Sequence, residues 1–251
     1  GKACINDFRM NGVDTSHLLV DEGETTNYTI VLTETSTKER CFVANDGSKR
    51  ELAAEELDEA YIRQAKYLLI TEMDAVSIRA AEIAKANGVK VVIDADLYEK
   101  RTMDHIHLID VFICSEEFYR GLFQDEKYIT HCREIQAMGP KAAVVTLGDK
   151  GCRGVYGDTV IDQKAFTDIE VVDTNGAGDV FHGAFIYGMV QGWEPEYIAR
   201  FASAVSAIKC TRQGGRAGIP DAKTTKNFLE AGRIDYTEID KRVEIYKNGL
   251  F

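Results

Sequence analysis

From Glu55 onward, short β-branched runs alternate with amphipathic stretches along this 251-residue chain. Segments 67–70, 89–94, 111–114 and 142–146 are apolar at successive positions, the pattern of strands buried on both faces. Segments 53–66, 74–87, 116–123, 128–138, 178–191 and 195–210 carry apolar residues at three- and four-residue spacing, which predicts helices with one buried face. Such alternation predicts right-handed βαβ units on a mostly parallel sheet. Around 151–166 the helical spacing lapses, and Gly154-Val155-Tyr156-Gly157-Asp158 predicts a hairpin. The first fifty residues read differently. There, 17–21, 26–32 and 40–44 are short β-rich runs between turn-like segments, which predicts a small antiparallel sheet of modest burial.

Composition narrows this picture. The length suits one large α/β domain and is too short for two comfortable ones. A net charge of −11 argues against a nucleic-acid or anionic-membrane surface, since both need clustered Lys and Arg. A local anion site inside an acidic protein is still allowed. Cys4, Cys41, Cys114, Cys132, Cys152 and Cys210 are scattered without a C-x-x-C pair, so buried thiols in a reducing compartment are expected rather than zinc. No apolar stretch approaches the ~20 residues of a membrane span, and no signal peptide is visible. A cytoplasmic enzyme is expected.

The chemistry concentrates in Asp173-Thr174-Asn175-Gly176-Ala177-Gly178-Asp179. This string follows Val171-Val172 and opens onto an apolar, small-residue helix, so its glycines fall where a loop becomes a first helical turn. Backbone N–H groups there lack intrahelical partners, and the helix dipole turns its positive end outward. Glycines keep side chains away from an approaching anion. Asp179 on its own reads equally well as a helix cap. A phosphate to be held and a hydroxyl to be deprotonated account for the Gly-Ala-Gly run and the acid together. Thr146-Leu147-Gly148-Asp149-Lys150-Gly151 follows a predicted strand, where nucleotides bind in open α/β sheets.

The heptapeptide and its helix resemble the C-terminal signature of the ribokinase/PfkB carbohydrate-kinase family. Val144–Gly151 upstream and Thr211–Pro220 downstream agree in order and spacing, across roughly residues 12–230. The resemblance implies a ribokinase-like three-layer α/β/α domain over 1–251, with a mostly parallel central sheet and a small β-sheet lid at about 14–50. It implies phosphoryl transfer from ATP to a sugar hydroxyl, with Asp179 as base and Gly176, Ala177 and Gly178 as anion hole. It places Thr146, Gly148, Lys150, Gly151, Ser203 and Gly214 around ATP and Glu72 on the sugar. A monovalent cation, K+, is implied at Asp173, Asn175, Lys209, Arg212, Gly214 and Gly218, mostly through backbone carbonyls.

The reaction class calls for Mg2+, with Asp94, Asp96 and Glu117 standing at strand ends and Glu117 foremost. Here the family's Asn-x-x-Glu element reads Ser115-Glu116-Glu117-Phe118. Family members often pair their lids, so a homodimer is expected. The chain opens at a stretch resembling the one just before the lid, so an N-terminal strand and a Gly-Gly sugar-binding segment are expected to be missing. His182 is expected to pack rather than react.

Three other readings compete. A dinucleotide enzyme fails for want of a G-x-G-x-x-G after an early strand with an acid ~20 residues on. A nucleoside kinase and a non-catalytic sugar or nucleotide sensor on the same fold remain open.

Overall fold

A computed structural model describes residues 1–34, 40–48 and 50–249. The chain divides into two compact units, Gly1–Asp58 with Glu244–Phe251, and Glu59–Val243. In the first, helix α1 (Lys2–Met10) precedes β1 (Tyr28–Thr33) and β2 (Arg40–Asn45), an antiparallel pair running from Tyr28 opposite Asn45 to Thr33 opposite Arg40. Two of the three predicted β runs are therefore strands. Segment 17–21 is not one: a turn at Ser16-His17 opens it, with Ser16 N–H drawn onto the Asp14 carboxylate at 2.9 Å, and 18–21 form no regular element. The segment expected as a lid, 14–50, includes 35–39 and 49, which lie outside the described residues. Alternation along β1 puts Tyr28, Ile30 and Leu32 on one face, all exposed.

The predicted helix at 53–66 is broken. A 3-10 turn at Ala54–Glu56 ends at Leu57, whose backbone is extended, and α2 spans only Glu59–Ile62. Glu56 caps that short turn instead of continuing a helix, accepting from Ala53 N–H at 2.9 Å and from Arg50.

The second unit holds β3 (Tyr67–Ile70), α3 (Ala75–Ala86), β4 (Lys90–Ala95), α4 (Lys100–Asp104), β5 (Val111–Ser115), α5 (Glu116–Leu122), α6 (Tyr128–Ala137), β6 (Ala142–Thr146), β7 (Cys152–Tyr156) and β8 (Thr159–Gln163). Helices α7 (Ala177–Val190), α8 (Pro195–Lys209), α9 (Ala222–Ala231) and α10 (Thr237–Lys247) follow, the last running on into the first unit. The six strands stand in sequence order. Neighbours from β3 to β6 are parallel, and the predicted hairpin adds β7 and β8 antiparallel.

Register sorts the side chains into layers. Val92, Ile113 and Val144 share the face that packs on Phe181 and Phe185 of α7 and Ala199 and Ala202 of α8. One residue along, Phe112 points to the other face and meets Phe118 of α5 edge-on at 5.4 Å. Full burial of a side chain such as Phe185 or Phe112 contributes roughly 1.5–3 kcal/mol, so both layers are anchored by aromatics. Helices thus cover both faces of the sheet. Cys114, Cys132, Cys152 and Cys210 are buried as expected, while Cys4 and Cys41 are exposed because they lie on α1 and the small sheet. Burial pushes the Cys132 and Cys152 thiols up to about 12, which keeps them protonated and unreactive. No helix among the described residues is long and apolar enough to cross a membrane.

Candidate active site

Strands β3 to β6 are parallel, so their carboxyl ends share one edge of the sheet, where ligands of such sheets bind. Helix α7 begins at that edge. Its N-cap is Gly176 in the left-handed conformation (φ 77°), and a Cβ there would stand 2.8 Å from the Gly215 carbonyl oxygen. Both facts require glycine. Gly178 is different: its φ is ordinary and a Cβ would meet nothing within 4 Å. The space in front of Gly178 is open to a ligand, and Asp179 stands exposed beside it in the first turn. Of the three N–H groups expected to hold an anion, that of Ala177 is bonded to the Thr174 carbonyl at 3.1 Å, closing the turn.

A cavity of about 420 Å³ opens next to this turn, lined by Thr146, Gly148, Gly151, Phe166, Ala177, Gly178 and Ser203 among others. Its volume is in the range of small-molecule sites, and its wall is mainly apolar with a few hydroxyls, as a flat aromatic base requires. Four of the residues expected around ATP therefore meet in one place. Lys150 is outside the lining: it is exposed and reaches Glu116 at 3.5 Å. Gly214 is outside too, its N–H held by the Asp173 carboxylate.

That loop joins two segments far apart in sequence. The buried Asp173 carboxylate accepts the N–H groups of Asn175 and Gly214, each at 2.8 Å. Asp173 N–H donates in turn to the Cys210 carbonyl at 3.0 Å. Gly218 lies so close that a Cβ would stand 2.4 Å from the Lys209 carbonyl oxygen. Arg212 points elsewhere, pairing with Asp240 at 2.8 Å and stacking on Tyr236. Lys209 enters by its side chain rather than its carbonyl: the ammonium donates to the carbonyls of Asp173 and Asn175. K+ does not fit against carbonyls already turned onto a protein cation.

The acids at the sheet edge fall into separate roles. Glu117 is exposed in the first turn of α5, whose N-cap Ser115 accepts from Phe118 N–H and donates to the Asp96 carbonyl at 2.6 Å. Glu72 is exposed beyond β3 and outside the cavity. Among the described residues, no group of three or more His, Cys, Asp or Glu side chains is arranged to hold a metal ion. Mg2+ bound through nucleotide phosphates and water needs only one or two carboxylates, so Glu117 fits that lesser requirement. Asp94 turns inward instead. Its Oδ1 lies 3.3 Å from Nε2 of His182, an electrostatic contact whose geometry is not that of a hydrogen bond. Burial pushes the Asp94 carboxyl above its usual range; His182 pulls it down, and Asp179 and Asp96 push it up.

The family pattern described as pfkB family carbohydrate kinase matches residues 1–222. The chain belongs to that family. It is 29% identical over 240 residues to a ribokinase of Haemophilus influenzae, covering 92% of this chain and 78% of that protein. It is 24% identical over 270 residues to a 5-dehydro-2-deoxygluconokinase of Clostridium beijerinckii, covering 96% and 78%. Among solved structures, an E. coli protein assigned as a ribokinase II, in complex with ATP and Mg2+, superposes with a TM-score of 0.80. That match has 22% identity and covers 90% of this chain and 78% of the other. The protein is thus a carbohydrate kinase with a ribokinase-like fold.

Sequence reasoning missed two parts of this kinase's site. The segment 165–171 supplies Ala165, Phe166, Thr167, Ile169 and Val171 to the cavity, yet it forms no regular element and has no periodicity to read. His182 was expected only to pack. It is buried, at 2% exposure, but it also donates from Nδ1 to the Gly178 carbonyl at 2.8 Å while facing Asp94. Its position one turn after Asp179, on the side toward the sheet, was the available signal.

Proposed function

We propose that this chain transfers the γ-phosphoryl group of ATP to a hydroxyl of a monosaccharide. One observation carries the reading: an exposed carboxylate, Asp179, stands beside the unobstructed Gly178 at a helix N-terminus that also borders an apolar cavity. With the base of ATP in the cavity, near Thr146, Gly148, Gly151 and Ser203, its phosphates extend toward Gly176–Gly178. There the N–H groups of Gly176 and Gly178 and the helix dipole favour negative charge.

The chemistry then follows from what stands there. Asp179 accepts the proton of the sugar hydroxyl as that oxygen bonds to the γ-phosphorus, and the bond from phosphorus to the bridging oxygen breaks to release ADP. Little covalent work falls to the protein, so positioning and charge stabilisation carry most of the catalysis. Mg2+, when bound, neutralises charge on the phosphates, and Glu117 is the carboxylate of this chain best placed to hold it. Glu72, at the same sheet edge, is assigned to the sugar. The exposed face of Tyr28, Ile30 and Leu32 supports a lid that pairs with a second copy. An ATP-using enzyme of this kind suits the cytoplasm.

The test is ADP release with ATP, Mg2+ and a panel of pentoses, hexoses, sugar acids and nucleosides. Sugar-dependent ADP formation supports the reading. Turnover with nucleosides alone redirects it to a nucleoside kinase, and tight sugar binding without turnover identifies a sensor.

A further inference from the structure

Lys209 ends α8 with 0% of its surface exposed. A lysine in the last turn of a helix ordinarily lies in water over that helix's own carbonyl ends. This one leaves α8 and places its ammonium against the carbonyl oxygens of Asp173, at 3.0 Å, and Asn175. A buried ammonium is costly unless acceptors replace its water, and these two carbonyls are such acceptors.

We propose that the Lys209 ammonium is the resident cation of the loop leading into α7, a positioning residue that makes phosphoryl transfer independent of K+ and other monovalent ions. The proposal rests on the kinase reading above. Its geometry is that of the peptide plane. In a trans peptide the C=O and the following N–H point in opposite directions. Drawing the Asn175 carbonyl onto Lys209 therefore aims the Gly176 N–H away from the ammonium, and the Asp173 carbonyl does the same for Thr174 N–H. The Asp173 carboxylate fixes the other side of the loop through Asn175 N–H and Gly214 N–H. Gly176 is also pressed against the Gly215 backbone. The first donor of the anion hole is thus oriented by a covalently tethered charge. A mobile cation cannot share these carbonyls without facing the ammonium at contact distance.

The experiment compares wild type, Lys209→Met and Lys209→Ala in K+ and in tetramethylammonium at one ionic strength, so that screening is constant. Wild-type kcat should agree within about twofold in the two salts, with no K+-dependent change in Tm. Lys209→Ala should lose about 10²-fold in kcat with a smaller change in sugar KM, the cost of a misaimed donor. K+ or NH4+ should restore part of that loss and raise the variant's Tm. Lys209→Met, which fills the space without charge or room for an ion, should show the loss without the rescue.

Activation of the wild type by K+, or a wild-type Tm that rises with K+, would overturn the proposal. So would full activity of Lys209→Ala in tetramethylammonium. The Tm comparison needs no turnover, so it decides the cation question even where the sugar panel refutes the kinase reading.

Discussion

His182 bridges two elements of the site: Nδ1 donates to the Gly178 carbonyl at 2.8 Å, and Nε2 lies 3.3 Å from Asp94 Oδ1. A carbonyl only accepts, so Nδ1 carries a proton, and an uncharged ring then turns its Nε2 lone pair toward the carboxylate. The strand end and the first turn of α7 are therefore linked through an electrostatic contact.

The burial of Asp94 predicts a pH dependence of stability, which the His182 contact offsets in part. The Asp94 carboxyl is raised by burial above its ordinary value of 3.8. A raised folded-state pKa stabilises the fold fully below the unfolded value, and that contribution is lost as pH rises through the folded one. Asp94→Asn carries no charge at any pH and escapes this loss. Its Tm relative to wild type should therefore increase between about pH 4 and pH 8. Thermal melts across that range check it. A difference that stays flat or shrinks refutes the burial argument.

Asp179→Asn keeps the shape of the side chain but cannot take a proton at neutral pH. We expect kcat to fall by about 10²–10⁴-fold, the range for loss of a general base, with ATP affinity largely kept. Steady-state kinetics on the best sugar decide it. Retention of most of the wild-type kcat would remove Asp179 from the role of base.

The two glycines of the proposed anion hole should fail in different ways. Gly178 has an ordinary φ and open space where a Cβ would go. Gly178→Val should leave stability nearly unchanged, since valine is no poorer a helix former than glycine, yet place a branched group in the proposed phosphate path and abolish turnover. Gly176→Val meets both a left-handed backbone and the Gly215 carbonyl, so it should lower Tm markedly. Measuring Tm and kcat for both separates the cases. An active Gly178→Val would show that the phosphoryl group does not pass there.

Much of this molecule was legible in its sequence, for identifiable reasons. Strands β4, β5 and β6 are buried on both faces, so their β-branched runs had no competing reading. The start of α7 at the Asp173–Asp179 string was legible because its glycines and acid fall together where a loop becomes a first helical turn. The fate of Lys209 was not. Nothing in a helix-terminal lysine tells whether its side chain runs into water or into the carbonyls of a loop 34 residues upstream. The Asp94–His182 contact was hidden for the same reason: it joins residues 88 positions apart, brought together only by the packing of α7 on the sheet. Helix 53–66 failed at Leu57, where an extended backbone interrupts an otherwise helical spacing.

The cavity makes a final prediction, because the proposed function puts the nucleotide rather than the sugar in it. Ala207 on α8 lines it, one turn from Ser203 and beside Ser206, whose hydroxyl donates to the Ala177 carbonyl at 2.9 Å. Ala207 is partly exposed, so a larger side chain there can turn into the cavity without displacing the core beneath α8. Ala207→Phe should cost the helix only about half a kcal/mol in propensity while filling space that an aromatic base would occupy. The KM for ATP should rise by about tenfold or more, with the sugar KM unchanged and kcat at saturating ATP within about threefold of wild type. That pattern separates lost nucleotide binding from a damaged anion hole, which would lower kcat at any ATP concentration. An unchanged KM for ATP, or a selective rise in sugar KM, would move the nucleotide out of this cavity.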